Sequence, residues 1–262
     1  MDRNRTRQEF VGNVDQWFDP QCLGIVPVSS KRIGMVTEGS TDQVVLKILL
    51  PAALDGYGAQ NFVNIQPNPD NTSAGGGQEG GWRLVYKWCL DNPPALRRQR
   101  VSGGGLFATS LPLDGFLVHL DADICEKLQK MTRVQSDDFD LTTPAGRGQY
   151  IEAVLTDWLW PDGMDSQDRP WIFLAPAVEA VECWLLAGLT EDSAPESHKN
   201  PGLVLLEWDC KGRGRPVPDK AKGISKNSDR YQEFSRRAAA NMDRILRYCP
   251  HFAALTQKIA VL

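Results

Sequence analysis

The chain has 262 residues, a formal net charge of −4 and an apolar share of 42%. A length of this order suits one large domain or one domain with an added lobe. The small net charge excludes a protein that binds nucleic acid through overall basicity, although a local basic groove remains compatible with it. No run reaches the roughly 18 consecutive apolar residues that a membrane span requires.

The six cysteines include no Cys-x-x-Cys pair. Their scatter argues against a zinc knuckle and against a disulfide framework. The N-terminal segment Met1–Arg7 carries basic residues with no apolar block behind them, so we expect no secretory signal. These features together predict a cytoplasmic protein.

The first predicted element is the strand Ile33–Val36. Gly39 permits a tight turn after it, and Ser40 with Gln43 three residues later forms the pattern of a capping box. The helix that follows is expected to stop at Pro51, which cannot continue the hydrogen-bond ladder. Strand, glycine turn and helix are typical of the opening half of a βαβ unit.

Further strands and helices alternate along the rest of the chain. Strands are predicted at Phe62–Ile65, Gly115–Leu120 and Trp171–Leu174. Helices are predicted at Trp82–Leu90, Gln149–Trp160, Val178–Ala187 (started by Pro176) and Ser228–Tyr248. A glycine-rich segment, Gln66–Gly81, is expected to be a long loop. This alternation predicts an α/β fold with a mostly parallel four-stranded sheet and helices on both faces.

The same pattern predicts three regions. Residues 1–30 form an N-terminal lead, and residues 31–189 form the core, with an insertion at about 124–170. Residues 190–262 form a C-terminal extension with a basic loop and a helix.

Carboxylates follow two of the predicted strands. Glu38 and Asp42 lie in the turn after the first strand, and Asp121 and Asp123 follow the strand Gly115–Leu120. The carboxyl ends of parallel strands meet at one edge of the sheet, and residues 121 and 123 of an extended segment point the same way. Because clustered carboxylates repel one another without a cation, we expect them to bind Mg²⁺ or Mn²⁺.

Two further acidic residues follow the last predicted strand. Glu179 and Glu182 have the i, i+3 spacing that places side chains on one face of a helix, in its first turns. They could only stabilise the helix N-terminus by interacting with the helix dipole, or one of them could ligate a second metal. His119 precedes Asp121 by two residues; we expect it to pack within its strand, and a role as acid or base is the alternative.

The densest basic stretch lies in the C-terminal region. It is expected either to contact nucleic-acid phosphates or to be a solvated surface loop. Its members are Lys211, Arg213, Arg215, Lys220, Lys222, Lys226 and Arg230, of which the first six are the predicted nucleic-acid contacts. Arg97, Arg98 and Arg100 form a smaller candidate patch.

The two acidic motifs, Glu38-Gly-Ser-Thr-Asp42 and Asp121-Ala-Asp123, resemble the Toprim signature of topoisomerases, primases, OLD-family nucleases and small stand-alone nucleases. The segment Ala177–Ala187 is similar to one in small RloB-like phage-defence proteins of this superfamily. The resemblance implies a Toprim-like core in which Glu38, Asp121 and Asp123 are catalytic metal ligands. It also implies that Asp42 supports the metal or ligates it directly.

A Mg²⁺- or Mn²⁺-dependent endonuclease acting on DNA or RNA, tRNA included, is the function that this resemblance implies. Such nucleases commonly act as toxic effectors of anti-phage defence beside an ABC-type, OLD-like ATPase. The chain itself has no Walker A loop, because neither the segment Gln66–Gly81 nor a second glycine run, Gly103–Gly105, is followed by Gly-Lys-Ser/Thr.

Two alternatives remain open at this point. One is a haloacid-dehalogenase-type phosphatase in which Asp121 is the nucleophile, although Ile124-Cys125 departs from its usual Gly-Thr continuation. The other is a non-catalytic metal-binding subunit of an ATPase complex. The pattern also leaves homo-oligomerisation open.

Overall fold

The computed structural model describes residues 31–55, 57, 60–67, 81–103, 111–161 and 167–262. The predicted N-terminal lead (1–30), most of the glycine-rich loop (66–81) and part of the second glycine run (104–105) lie outside the described residues.

Four strands form one sheet in the described part of the chain. They are β1 (Lys31–Val36), β2 (Gln60–Gln66), β3 (Gly115–Asp121) and β4 (Ile172–Ala177). The strand order is β2-β1-β3-β4, and each of the three pairings is parallel. The predicted α/β class with a four-stranded parallel sheet is therefore confirmed.

Helices connect the strands and continue beyond the last one. They are α1 (Ser40–Ala53), α2 (Trp82–Asp91), α3 (Pro94–Ser102), α4 (Cys125–Leu128), α5 (Pro144–Leu159), α6 (Glu182–Leu189), α7 (Pro201–Gly212), α8 (Ser228–Ala239), α9 (Met242–Tyr248) and α10 (Pro250–Ala260). Among the described residues, no helix is both long and apolar enough to cross a membrane.

Strand alternation divides the core between the two faces of the sheet. Leu117 of β3 packs into one cluster with α1, α6, α8 and α10, whereas Phe116 and Val118 pack into a second cluster with α2 and α5. The odd-numbered positions of β3 therefore face α1 and α6. This parity decides on which side His119 and Asp121 lie.

Three predicted helix boundaries are wrong. The helix α1 continues through Pro51 to Ala53, because this proline lies in the last turn with its ring exposed. Pro176 belongs to β4 and does not start a helix, since β4 is an edge strand and edge strands tolerate a missing N–H. The predicted helix Ser228–Tyr248 is broken at Asn241, whose side-chain amide donates to the Gly188 carbonyl at 2.7 Å.

Two helices of the C-terminal region, α7 and α10, were not predicted. Each begins with a proline at its first position, Pro201 and Pro250, which suits a helix N-terminus because the missing N–H has no intrahelical partner there. The Asn200 side chain accepts from Leu203 N–H and caps α7.

Arg97 was predicted to belong to a basic surface patch, and this is wrong because it is fully buried. Its guanidinium pairs with Asp168 at 2.5 Å and donates to the carbonyls of Asn92 and Leu159. The indole of Trp160 donates to the other Asp168 oxygen. This network ties α3 to the end of α5 and to the turn before β4.

We expect Arg97→Met to lower the free energy of unfolding by about 3–5 kcal/mol, because it leaves the Asp168 charge buried without its cation. Lys87→Met is the matched control: Lys87 pairs with Asp91 at 2.7 Å on the exposed face of α2, and its loss should change stability by less than about 0.5 kcal/mol. Urea denaturation of both variants measures the difference. Equal effects would contradict a structural role for the buried pair.

Candidate metal centre

The two acidic motifs of the sequence meet at the carboxyl edge of the sheet. Glu38 follows β1 and Asp121 ends β3, and these strands are parallel neighbours. The Glu38 carboxylate accepts a hydrogen bond from the backbone N–H of Asp121 at 2.7 Å. Two segments 83 residues apart in sequence are thereby joined directly.

The turn after β1 brings Asp42 to the same place. Its carboxylate accepts from the Gly39 N–H at 2.7 Å, and Gly39 is the N-cap residue of α1. The predicted N-cap at Ser40 with Gln43 is therefore wrong by one residue: Ser40 is the first helical residue, and Asp42 supplies the reciprocal hydrogen bond of the capping box. Asp42 is buried as a result.

His119 is the third member of this group. It lies two residues before Asp121 and so on the same face of β3, the face that α1 covers. Its Nδ1 lies 2.8 Å from the Ala175 carbonyl oxygen, and its Nε2 lies 3.2 Å from an Asp121 oxygen. Among the described residues, Asp42, His119 and Asp121 form a group whose candidate ligand atoms all lie within 4.8 Å of one another.

The carboxylates of this group are in an unfavourable state when no cation is bound. Burial and the charge of Asp121 raise the pKa of Glu38 well above its ordinary value. Burial and the charge of Asp42 do the same to the pKa of Asp121, and burial raises the pKa of Asp42. An Asp121 oxygen and His119 Nε2 are also buried without a hydrogen-bond partner among the described residues. Carboxylate oxygens and an imidazole nitrogen that lie this close together fit a divalent cation.

Asp123 is held differently from the extended segment that we expected. The chain turns into a 3-10 helix at Ala122–Ile124, so side chains 121 and 123 do not share a face by strand alternation. The Asp123 side chain is exposed, and its backbone N–H donates to the Glu179 carbonyl at 3.0 Å. Asp123 nevertheless lines the same cleft as Asp121.

Glu179 and Glu182 do not share a helix face, contrary to the prediction. α6 begins at Glu182, and Glu179 lies in the preceding turn with a left-handed φ of 62°. Such a conformation is uncommon for a residue with a side chain and is concentrated at functional sites. The Glu179 carboxylate forms an ion pair with Arg147 Nε at 2.8 Å. Burial raises the pKa of Glu179 in spite of this partner.

Glu182 is buried and is held by two residues of the C-terminal region. The Tyr231 hydroxyl donates to its carboxylate, and Lys226 Nζ lies 3.1 Å from the same oxygen. Burial and the charge of Glu182 raise the pKa of Tyr231, so its hydroxyl keeps the proton that it donates. Tyr231 and Arg147 were not predicted as site residues, because only tertiary packing brings them here, and His119 was expected to pack within its strand, with an acid or base role as the alternative.

A cleft of about 870 Å³ opens beside this group. Asp121, Asp123, Glu179 and Glu182 line one part of it. Its basic lining residues are Arg147, Lys199, Lys222 and Lys226.

Two of the six predicted nucleic-acid contacts, Lys222 and Lys226, line this cleft. The other four, Lys211, Arg213, Arg215 and Lys220, are exposed outside its lining. Arg213 forms an ion pair with Asp209 at 2.8 Å.

Comparisons of the chain with models of protein families, with curated proteins and with solved structures gave no match. The candidate site therefore stands on its own geometry.

We expect the metal-free protein to lose stability as the pH rises from 5 to 8. The raised carboxyl pKa values mean that the fold binds protons that the unfolded chain has released above about pH 4, so this contribution is lost as the pH rises. Mn²⁺ should reverse the loss, by about 2.7 kcal/mol at a concentration 100 times its Kd. Thermal unfolding in chelator and in Mn²⁺ measures both effects.

Asp121→Asn removes one of the repelling charges and should flatten this pH dependence in chelator. Asp137→Asn, which changes an exposed aspartate outside the group, should leave it unaltered. Identical pH profiles for the wild type and Asp121→Asn would contradict the account.

Proposed function

We propose that this protein is a divalent-metal-dependent hydrolase of phosphodiester bonds in nucleic acid. The observation that carries the proposal is the juxtaposition of a buried carboxylate–imidazole group with a cleft lined by four cationic side chains. Acidic side chains alone would fit a structural metal site, and cationic side chains alone would fit an anion-binding surface. A metal-dependent phosphodiesterase uses both at one place: the metal activates water and stabilises charge, and the cations contact phosphates.

The metal would lie at Asp42, His119 and Asp121, with Glu38 and Asp123 adjacent. A divalent ion bound there supplies Lewis acidity, lowering the pKa of water and stabilising charge on phosphate oxygens. Mg²⁺ and Mn²⁺ are the ions that we propose, because oxygen donors dominate the surroundings.

The chain's own residues would position the substrate. Arg147 offers a planar guanidinium suited to phosphate oxygens, and its pairing with Glu179 fixes its direction. Lys226 is oriented by Glu182 and Tyr231, so its ammonium lies between the acidic group and the open cleft. Lys199 and Lys222 extend the positive lining outward.

By the Toprim resemblance we further propose that the protein acts as an effector nuclease in anti-phage defence, beside a separate ATPase. The lack of a Walker A loop in the sequence supports a division of labour between the two proteins. Purification of the chain from its native host together with an ATPase would support this part.

The cleft volume lies in the range of small-molecule pockets, which favours a second candidate, a phosphatase acting on a small phosphate ester. In that mechanism Asp121 would attack phosphorus itself. A phosphoryl-aspartate trapped at Asp121 would identify this activity, and its absence during turnover would favour attack by water.

Asp121→Asn should lower the rate of nucleic-acid cleavage at least about 100-fold, because the metal ion loses a charged ligand. The assay uses tRNA, single-stranded DNA and duplex DNA with Mg²⁺ or Mn²⁺. Asp137→Asn is the control for loss of one exposed acidic side chain. Cleavage by Asp121→Asn at the wild-type rate on every substrate would end the proposal.

A Lys222→Ala, Lys226→Ala double variant should weaken nucleic-acid binding and reduce the salt slope of log K by about 1.8 for duplex, or about 0.9 per lost phosphate contact. The matched control is Lys211→Ala, Lys220→Ala, which removes the same charge from the same region outside the cleft lining. Fluorescence anisotropy at salt concentrations from about 50 to 200 mM measures both slopes. Equal losses in the two variants would contradict binding in the cleft.

A further inference from the structure

The imidazole of His119 is held in one orientation by its surroundings. The side chain is fully buried on one face of β3, with its ring centroid 5.9 Å from that of Trp184. The Ala175 carbonyl can only accept, so the Nδ1 that lies 2.8 Å away from it carries a hydrogen. In the neutral ring, Nε2 then presents a lone pair.

In the part of the chain that the structure describes, no hydrogen-bond donor meets that lone pair. Nε2 is buried and has no hydrogen-bond partner among the described residues, and the nearby Asp121 oxygen is likewise without one. The two atoms are 3.2 Å apart, yet they do not meet hydrogen-bond geometry. A buried acceptor left unpaired costs about 1–3 kcal/mol, so two of them side by side indicate a missing third atom.

The 3.2 Å separation suits a shared cation. Two ligands about 2.1 Å from one ion lie about 3.0 Å apart at a right angle and about 3.4 Å apart at a tetrahedral angle. Metal-binding histidines characteristically donate their other ring N–H to a backbone carbonyl or carboxylate, as His119 does to Ala175.

We propose that His119 Nε2 ligates the cation directly and makes the site selective for Mn²⁺ over Mg²⁺. The inference deepens the proposed function, on which it rests for the presence of a metal. Mg²⁺ is a hard ion that prefers oxygen donors and keeps its waters, whereas imidazole suits transition-metal ions. A mixed set of one imidazole and two carboxylates therefore favours Mn²⁺, which accepts both donor types.

The direct test is electron spin-echo envelope modulation of the full-length protein loaded with one equivalent of Mn²⁺. A ¹⁴N coupling from a ligating imidazole is expected in the wild type and should disappear in His119→Asn. Asparagine keeps a donor toward the Ala175 carbonyl while removing Nε2. His198→Asn, which alters a histidine paired with Asp192 at 2.5 Å outside this group, should keep the coupling.

Isothermal titration gives the selectivity. We expect His119→Asn to weaken Mn²⁺ binding about tenfold or more while Mg²⁺ affinity changes less than about threefold. The wild-type spectrum alone shows whether nitrogen ligates Mn²⁺, so the proposal can be tested even if His119→Asn does not fold.

The two proposals can fail separately. Bound Mn²⁺ without nitrogen coupling, coupling that survives in His119→Asn, or equal wild-type affinities for the two ions would each overturn the role of His119. Such a result would leave cleavage to be judged by its own assay. Nitrogen coupling in a protein that cleaves no nucleic acid would keep the His119 assignment and overturn the proposed activity.

Discussion

Repulsion among buried carboxylates is the constraint on which the candidate site depends. The parallel sheet places the ends of β1 and β3 side by side, and the capped turn before α1 brings Asp42 against Asp121. Like charges in a low-dielectric position either take up protons or bind a cation. The raised pKa values of Glu38, Asp42 and Asp121 reflect this conflict in the cation-free fold.

Cationic side chains relieve the conflict on one side of the site. Arg147 pairs with Glu179, and Lys226 pairs with Glu182, where the cleft opens. Near His119, one Asp121 carboxylate oxygen is buried without a hydrogen-bond partner among the described residues. The outer carboxylates thus hold cationic residues that could contact a phosphate, while the inner carboxylates lie close together and repel one another. This division supports one metal position more strongly than two.

The sheet and the acidic motifs were predictable because they depend on local pattern. Apolar runs ending in carboxylates, as at Val36–Glu38 and Leu120–Asp121, mark parallel strands opening at one edge. The burial of His119 beside Asp42 was not predictable, since strand parity tells which face it shares with Asp121 but not that α1 covers that face. Tyr231 lies 49 residues from Glu182, and its hydrogen bond follows from the packing of α8 on α6. Local rules also failed where context intervened, as at Pro176 on an edge strand.

Anomalous diffraction from crystals grown with Mn²⁺ tests the central claim most directly. One strong peak is expected, bounded by the Asp42 and Asp121 carboxylates and His119 Nε2, at about 2.0–2.2 Å from each ligand atom. A map with no peak in this position, from crystals in which Mn²⁺ stabilises the protein, would show that the buried carboxylates converge for another reason. The assignment of the site would then be contradicted.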